Sequence, residues 1–171
     1  MFGAMQDLRD KGLVKKIGVS VYEAREIEDL LERYSLDLIQ VPVSVLDQRL
    51  LQAGYLEELK RLDMEVHARS VFLQGLLLMD SDNLPEYFTS IRNHLEDFHS
   101  YCSRMGTSAL EACLDFALEL PEIDRVLVGV CSREELKDIL CAANTGKTLE
   151  DYTRHALYEE KILNPRLWPK K

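Results

Sequence analysis

The residues with chemistry to offer fall at the ends of four apolar runs. Ser20 closes KIGVS, Gln40 lies in LDLIQV, Arg69 and Ser70 end MEVHARSV, and Gly129–Arg133 complete and follow RVLVGV. If these runs are parallel strands, their C-terminal ends are where ligand loops gather. Ser20 and Ser70 would offer hydroxyls there, and Gln40 an amide that both donates and accepts. Arg69 is a half-buried cation in search of an anion or a carboxylate; the alternative is a structural salt bridge. Gly129 precedes a helix start at Ser132, with Arg133 just inside it, and free backbone N–H groups at a helix start suit a phosphate, although most helix starts bind nothing. His67 shares a strand face with Arg69 and reads as an acid/base group or as a hydrogen-bonded structural histidine. His94, His99 and His155 read as surface or structural. Paired carboxylates, a nucleophile elbow, a glycine-rich phosphate loop and H-E-x-x-H are all absent.

Strands and helices must hold these positions. Lys16–Val21 reads as a strand, followed by an amphipathic helix over Tyr22–Tyr34 with Ile27, Leu30, Leu31 and Tyr34 on one face. Leu36–Val41 is a second strand closed by Pro42, with a helix over Gln52–Leu62. Met64–Val71 is a third, leading into an apolar packed loop, Phe72–Met79. Pro85–Ser103 then predicts one long helix, and Ser108 with Glu111 caps another that runs to Leu120. Arg125–Val130 is the fourth strand. Ser132 and Glu135 form a second S-x-x-E box before a helix ending near Ala143. Short helices are also expected over Phe2–Lys11 and Leu149–Tyr158, with a surface tail over Asn164–Lys171. Asp47-Gln48-Arg49 reads as a polar cluster that pins the loop after the second strand. Strands alternating with helices predict an α/β chain with a parallel sheet, in a single domain over residues 1–171.

Composition narrows the function classes. The 171 residues are 46% hydrophobic and 30% charged, ordinary for a chain able to bury about 70% of its unfolded surface. A net charge of -9 argues against nucleic acid as a partner. The four cysteines have no CxxC spacing, so no metal site or disulfide framework is expected; Cys113 and Cys141 read as small core residues. No apolar run is long enough to span a bilayer and no signal peptide is visible. The expectation is a cytoplasmic protein that engages no membrane.

Four stretches together resemble the aldo/keto reductase family: KKIGVSVY (Lys15–Tyr22), LIQVPVSVLDQR (Leu38–Arg49), VHARSVFLQGLL (Val66–Leu77) and VLVGVCSREELKDIL (Val126–Leu140). They occur in the family's order and approximate spacing. The resemblance implies a partial TIM barrel, its last four β/α units, as a parallel four-stranded half barrel with outer helices. It also implies NADP or NAD as cofactor. Ser20 and Gln40 would meet the nicotinamide carboxamide, with Val21 where the family has Asn. Arg69 stands where the family stacks a Tyr on the nicotinamide, and Ser70 follows it. Gly75 matches the glycine near the pyrophosphate. Gly129, Ser132 and Arg133 belong to the segment that binds the adenosine phosphate. Ile139 falls near the family's adenine-side Asn and Glu135 near its 2′-phosphate Arg, where it would repel that phosphate, which favours NAD, or no cofactor, over NADP. The family's catalytic Asp, Tyr, Lys and His come from the other half of the barrel, so no residue here is assigned to catalysis, and the chain alone is expected to be inactive. The other reading is a non-catalytic nucleotide-binding or assembly module.

A half barrel has two free edges and is expected to present an open apolar face, with Ile17, Val19, Ile39, Val41, Val66 and Val128 in want of a covering layer. Self-association as a dimer, a missing N-terminal half, or an open sheet with helices folded over both faces would supply it, and self-association is the expectation.

Overall fold

Alternation along each strand decides which side chains meet the helices and which face outward. The computed structural model describes residues 2–145 and 152–169. It opens with α1 (Phe2–Asp10), then β1 (Gly18–Ser20), α2 (Ala24–Leu31), β2 (Leu38–Pro42), α3 (Arg49–Gln52), α4 (Tyr55–Arg61) and β3 (Glu65–Arg69). After a long loop come α5 (Arg92–Arg104), α6 (Ala109–Leu118), β4 (Arg125–Val126), α7 (Arg133–Ala142) and α8 (Glu160–Leu163). The four strands form one sheet in the order β1-β2-β3-β4, and every pairing is parallel. That is the half barrel the motifs imply.

The register separates two faces. Val19, Ile39 and Val66 lie opposite one another, and so do Val41, Ala68 and Val126; this face turns to the helices. Ile39, Val41, Val66 and Ala68 are buried in one cluster with Ile27, Leu56, Leu59, Leu95 and Phe98. On the other face Gly18 pairs with Leu38 and Glu65, Ser20 with Gln40, His67 and Arg125, and Pro42 with Arg69. The open face is therefore mainly polar, which corrects the expectation of an apolar one. The strand apolar positions pack on the chain's own helices, which are the layer they need. Val128 is the exception, 36% exposed beyond the end of β4.

Gly18 is required by close approach. A Cβ there would lie 2.1 Å from the Leu38 carbonyl oxygen, a backbone atom that cannot step aside.

Several boundaries differ from the sequence reading. β4 is two residues long instead of six. Its one neighbour among the described residues, β3, ends at Arg69, and Ser70 turns away with φ 59. After Leu127 donates to the Ala68 carbonyl at 2.8 Å, nothing remains for Val128–Val130 to pair with. Gly54, at φ 78, breaks the expected Gln52–Leu62 helix into α3 and α4. The Pro85–Ser103 helix is a 3₁₀ stretch, Glu86–Ile91, followed by α5. The helix after β1 starts at Ala24, because the Glu26 carboxylate accepts the N–H groups of Tyr22 and Glu23 and holds them as its cap.

The expected Leu149–Tyr158 helix lies partly outside the described residues. Within them, Tyr152–His155 is a 3₁₀ turn. Within the expected surface tail Arg166, Leu167 and Pro169 are exposed, while Asn164 is buried and Trp168 donates to the Ile162 carbonyl at 3.0 Å and packs edge-on to Phe88; Ile162 and Leu163 just before the tail are buried. Cys102 and Cys113 are buried, and burial raises both thiols, Cys102 to about 11. Cys141 is exposed, contrary to its core reading. It sits on the outer side of α7. Among the described residues, no helix is long and apolar enough to cross a membrane and no His/Cys/Asp/Glu cluster could hold a metal.

Candidate functional site

The strand ends open into a cavity of about 1000 Å³. Ser20, Gln40, Arg69, Ser70, Gly75 and Gly129 all line it. Phe72, Leu78, Leu110, Leu127 and Ile139 supply apolar wall. Ser132 and Arg133 do not reach it. Ser132 Oγ accepts the Glu135 N–H at 3.0 Å as an N-cap, and Arg133 lies with Leu136 and Leu140 on the outer side of α7.

Arg69 is the most constrained of these residues. Its Nε donates to Ser20 Oγ at 2.9 Å, one terminal nitrogen to Ser70 Oγ at 3.1 Å and the other to the Val21 carbonyl at 2.6 Å. Its Cζ lies 4.0 Å from the Tyr22 ring centroid. Arg166, from the C-terminal tail, sits over the same ring at 4.0 Å and pairs with Glu26 at 2.9 Å. Burial alone would raise the Glu26 carboxyl, but the Tyr22 N–H and Arg166 outweigh it and hold it below the usual range. Tyr22 was not singled out from sequence. Its aromatic type beside a Ser turn was visible, but its arginine partners lie 47 and 144 positions away along the chain.

Beneath the cavity, the open face carries an ionic cluster. Glu65 bonds His67 Nε2 at 2.7 Å, Arg125 Nε at 3.0 Å and the Lys16 ammonium. His67, Lys16 and Arg125 together lower the Glu65 carboxyl to about 2. His67 is fixed in this cluster and does not line the cavity.

The floor after β3 bends through left-handed backbone at Ser70 (φ 59), Leu73 (φ 45), Gln74 (φ 56) and Gly75 (φ 86). Three of these four are not glycine, and such strain persists only where the surroundings over-determine it, commonly at ligand clamps. Ser44, Asp47 and Gln48 are buried in the loop after β2. Arg49 grips Asp47 at 2.8 and 2.9 Å, and Gln48 donates to the Val45 and Tyr152 carbonyls at 2.8 Å each. That cluster is structural.

The chain is an open parallel half barrel with polar side chains gathered at its strand ends, and the family follows. The model of the aldo/keto reductase family matches residues 1–157, and the chain belongs to that family. It is 27% identical over 146 residues to a pyridoxal 4-dehydrogenase of Microbacterium luteolum, covering 80% of this chain and 42% of that protein. It is 23% identical over 163 residues to an NADH-specific methylglyoxal reductase of Escherichia coli (strain K12), covering 87% and 50%. The fold superposes on the aldo-keto reductase AKR11C1 from Bacillus halodurans (apo form) with a TM-score of 0.73 at 19% identity, over 94% of this chain and 59% of that one. The chain thus spans about half the length of the curated relatives it matches.

Whether this cavity suits a nicotinamide dinucleotide can be tested on its own atoms. At the β1–β2 end it does. The Gln40 side-chain amide has no partner among the described residues, and the Ser20 hydroxyl, while accepting from Arg69, keeps its own proton to donate. At the α7 end the fit depends on charge. The Glu135 carboxylate already accepts the Cys131 N–H at 2.6 Å and lines the cavity wall. By the resemblance, a further phosphate on a dinucleotide would meet this carboxylate as a like charge.

Proposed function

We propose that this chain is the cofactor-side portion of an NAD(P)-dependent aldo/keto reductase, that it favours NADH over NADPH, and that by itself it reduces no carbonyl. The observation that best supports this reading is the convergence of Ser20, Gln40, Ser70, Gly75 and Gly129 on one cavity at the strand ends. When bound, a reduced nicotinamide supplies a hydride to an aldehyde or ketone carbon. The chain's own residues bind and orient. Gln40 offers a donor and an acceptor to a carboxamide-type group and Ser20 a hydroxyl, both on rigid strand positions. Phe72, Leu110 and Ile139 displace water from the wall. A carbonyl that takes hydride also needs a proton at its oxygen. By the resemblance, that proton comes from a Tyr–Lys pair with no counterpart on the matched motifs, which is the reason for inactivity.

Calorimetric titration with NADH and NADPH tests this. NADH is expected to saturate at micromolar concentration and NADPH to bind about 10-fold more weakly, the scale of one uncompensated like-charge contact. Glu135→Arg should close that gap. Saturation by neither nucleotide would sink the reading. Steady aldehyde-dependent loss of NADH absorbance would sink the claim of inactivity alone.

A second reading concerns partners. The terminal strands β1 and β4 each have a free edge, and exposed apolar residues flank both: Leu13 and Val14 on the way into β1, Val128 and Val130 beyond β4. We propose that a second copy covers these edges. A clean monomer in sedimentation at micromolar concentration would refute it.

A further inference from the structure

The Tyr22 ring carries two guanidinium groups, and only one of them is neutralised. Arg166 has Glu26 at 2.9 Å. Arg69, at the same 4.0 Å from the ring, has no ion pair among the described residues. Its three protein acceptors, Ser20 Oγ, Ser70 Oγ and the Val21 carbonyl, are all neutral. A guanidinium has five N–H groups, so each terminal nitrogen keeps one free. Those nitrogens belong to a residue lining the cavity. Three hydrogen bonds and the ring hold the plane of the group in this position. The carboxylates that share the cavity, Glu135 and Asp138, stand on the α7 wall and do not pair with it. A fixed, half-buried, unpaired fork of this kind matches an oxyanion, and its planarity favours a two-oxygen group.

We propose that Arg69 is an oxyanion seat, and that the cavity takes a ligand bearing a carboxylate or phosphate-type group against its free N–H pair. The proposal depends on the reading above only for whether that oxyanion belongs to a substrate or to a dinucleotide. Its consequence for a reductase is a preference for carbonyl substrates that carry an acidic group near the carbonyl.

The test is a chemical-shift titration of the 15N-labelled chain with pyruvate, with its neutral methyl ester, and with pyruvate in the presence of saturating NADH. Pyruvate should saturate and move the Ser20, Val21 and Ser70 amides, while the ester should not saturate over the same range. Arg69→Gln should weaken pyruvate at least about 10-fold. Arg69→Lys should fall between, since it keeps the charge and loses the fork. Equal binding of acid and ester by the wild-type chain would overturn the proposal, and this arm stands even if a variant fails to fold. Unchanged pyruvate affinity in a folded Arg69→Gln would overturn it too. If NADH leaves pyruvate binding intact, the seat serves a substrate carboxylate; if NADH displaces pyruvate, it serves the cofactor's phosphates. A chain that binds pyruvate through Arg69 but never binds NADH would refute the dinucleotide reading and leave the seat standing.

Discussion

The two faces of the sheet obey opposite rules, although the same strands build both. The helix face is dry and self-sufficient: Ile39, Val41, Val66 and Ala68 are fully buried in a cluster closed by residues of this chain. The open face is built from Ser20, Gln40, Glu65, His67, Arg69 and Arg125. Its interactions are ionic and directional, and among the described residues some of its donors have no partner. One face secures the fold, and on the reading proposed above the other receives a ligand. If that division is real, substitutions on the helix face should move stability, and those on the open face should move binding or acid sensitivity.

The largest effects should come from the helix face. Phe98→Ala empties a fully buried aromatic position and should lower unfolding free energy by about 3–5 kcal/mol in urea denaturation. Gly18→Ala should be similarly severe for a separate reason: Gly18 lies on the open face, but its new Cβ meets backbone at 2.1 Å and β1 must separate from β2. A mild phenotype for Phe98→Ala would dissolve the contrast.

Next comes the ionic cluster of the open face. Glu65 has its carboxyl lowered from 4.5 to about 2 by His67, Lys16 and Arg125. A depressed carboxyl stabilises the fold above its unfolded value and loses that contribution as pH falls toward its folded value. Wild-type stability should therefore decline from about pH 4.5 down to about 2, and Glu65→Gln should lack this part of the decline. Denaturation midpoints over that range check it. Parallel pH profiles would show that the cluster adds nothing to folding.

The contrast also explains what could be read from sequence. The four strands and their parallel pairing were legible because KIGVS, LDLIQV, MEVHARSV and RVLVGV alternate with helical patterns, while their order followed only from the family resemblance. The convergence of Ser20, Gln40, Arg69 and Ser70 was legible because all four lie in or just past the C-terminal half of a strand, where ligand loops gather. The polarity of the open face was missed because apolar positions were assigned to the interior of a barrel, whereas alternation sends them to the helices. The split at Gly54 and the short β4 depend on one left-handed residue and on one missing neighbour, neither of which is a periodic signal. The Arg69–Tyr22–Arg166 stack joins three distant segments, and no local pattern encodes it.

Two helix caps give a smaller, paired test. Ser108 Oγ accepts the Glu111 N–H at 3.2 Å, and Glu111 returns to the Ser108 N–H at 2.7 Å. Ser132 Oγ accepts the Glu135 N–H, but Glu135 reaches past it to Cys131. Ser108→Ala supports a helix with five buried residues and should lose about 1 kcal/mol. Ser132→Ala, on a helix exposed along most of its length, should lose less. Reversal of that order would mean that the α7 wall is more tightly coupled to the fold than its exposure implies.

The smallest stability effect should be at Gln40, and there the contrast is sharpest. Its backbone is locked into the ladder, accepting from Val21 at 3.0 Å, while its side-chain amide bonds nothing among the described residues. Gln40→Ala should thus stay within about 0.5 kcal/mol of wild type. The same change removes both a donor and an acceptor from the cavity, and it should weaken NADH by about 10-fold, the worth of one or two neutral hydrogen bonds. A matched Ile39→Val on the opposite face should do the reverse, lowering stability by about 0.5–1.5 kcal/mol and leaving NADH affinity unchanged. Adjacent residues on one strand would then report separately on the fold and the site. If Gln40→Ala instead destabilised the chain and spared the nucleotide, the open face would be part of the core, and the division between the faces would fail at the position chosen to display it.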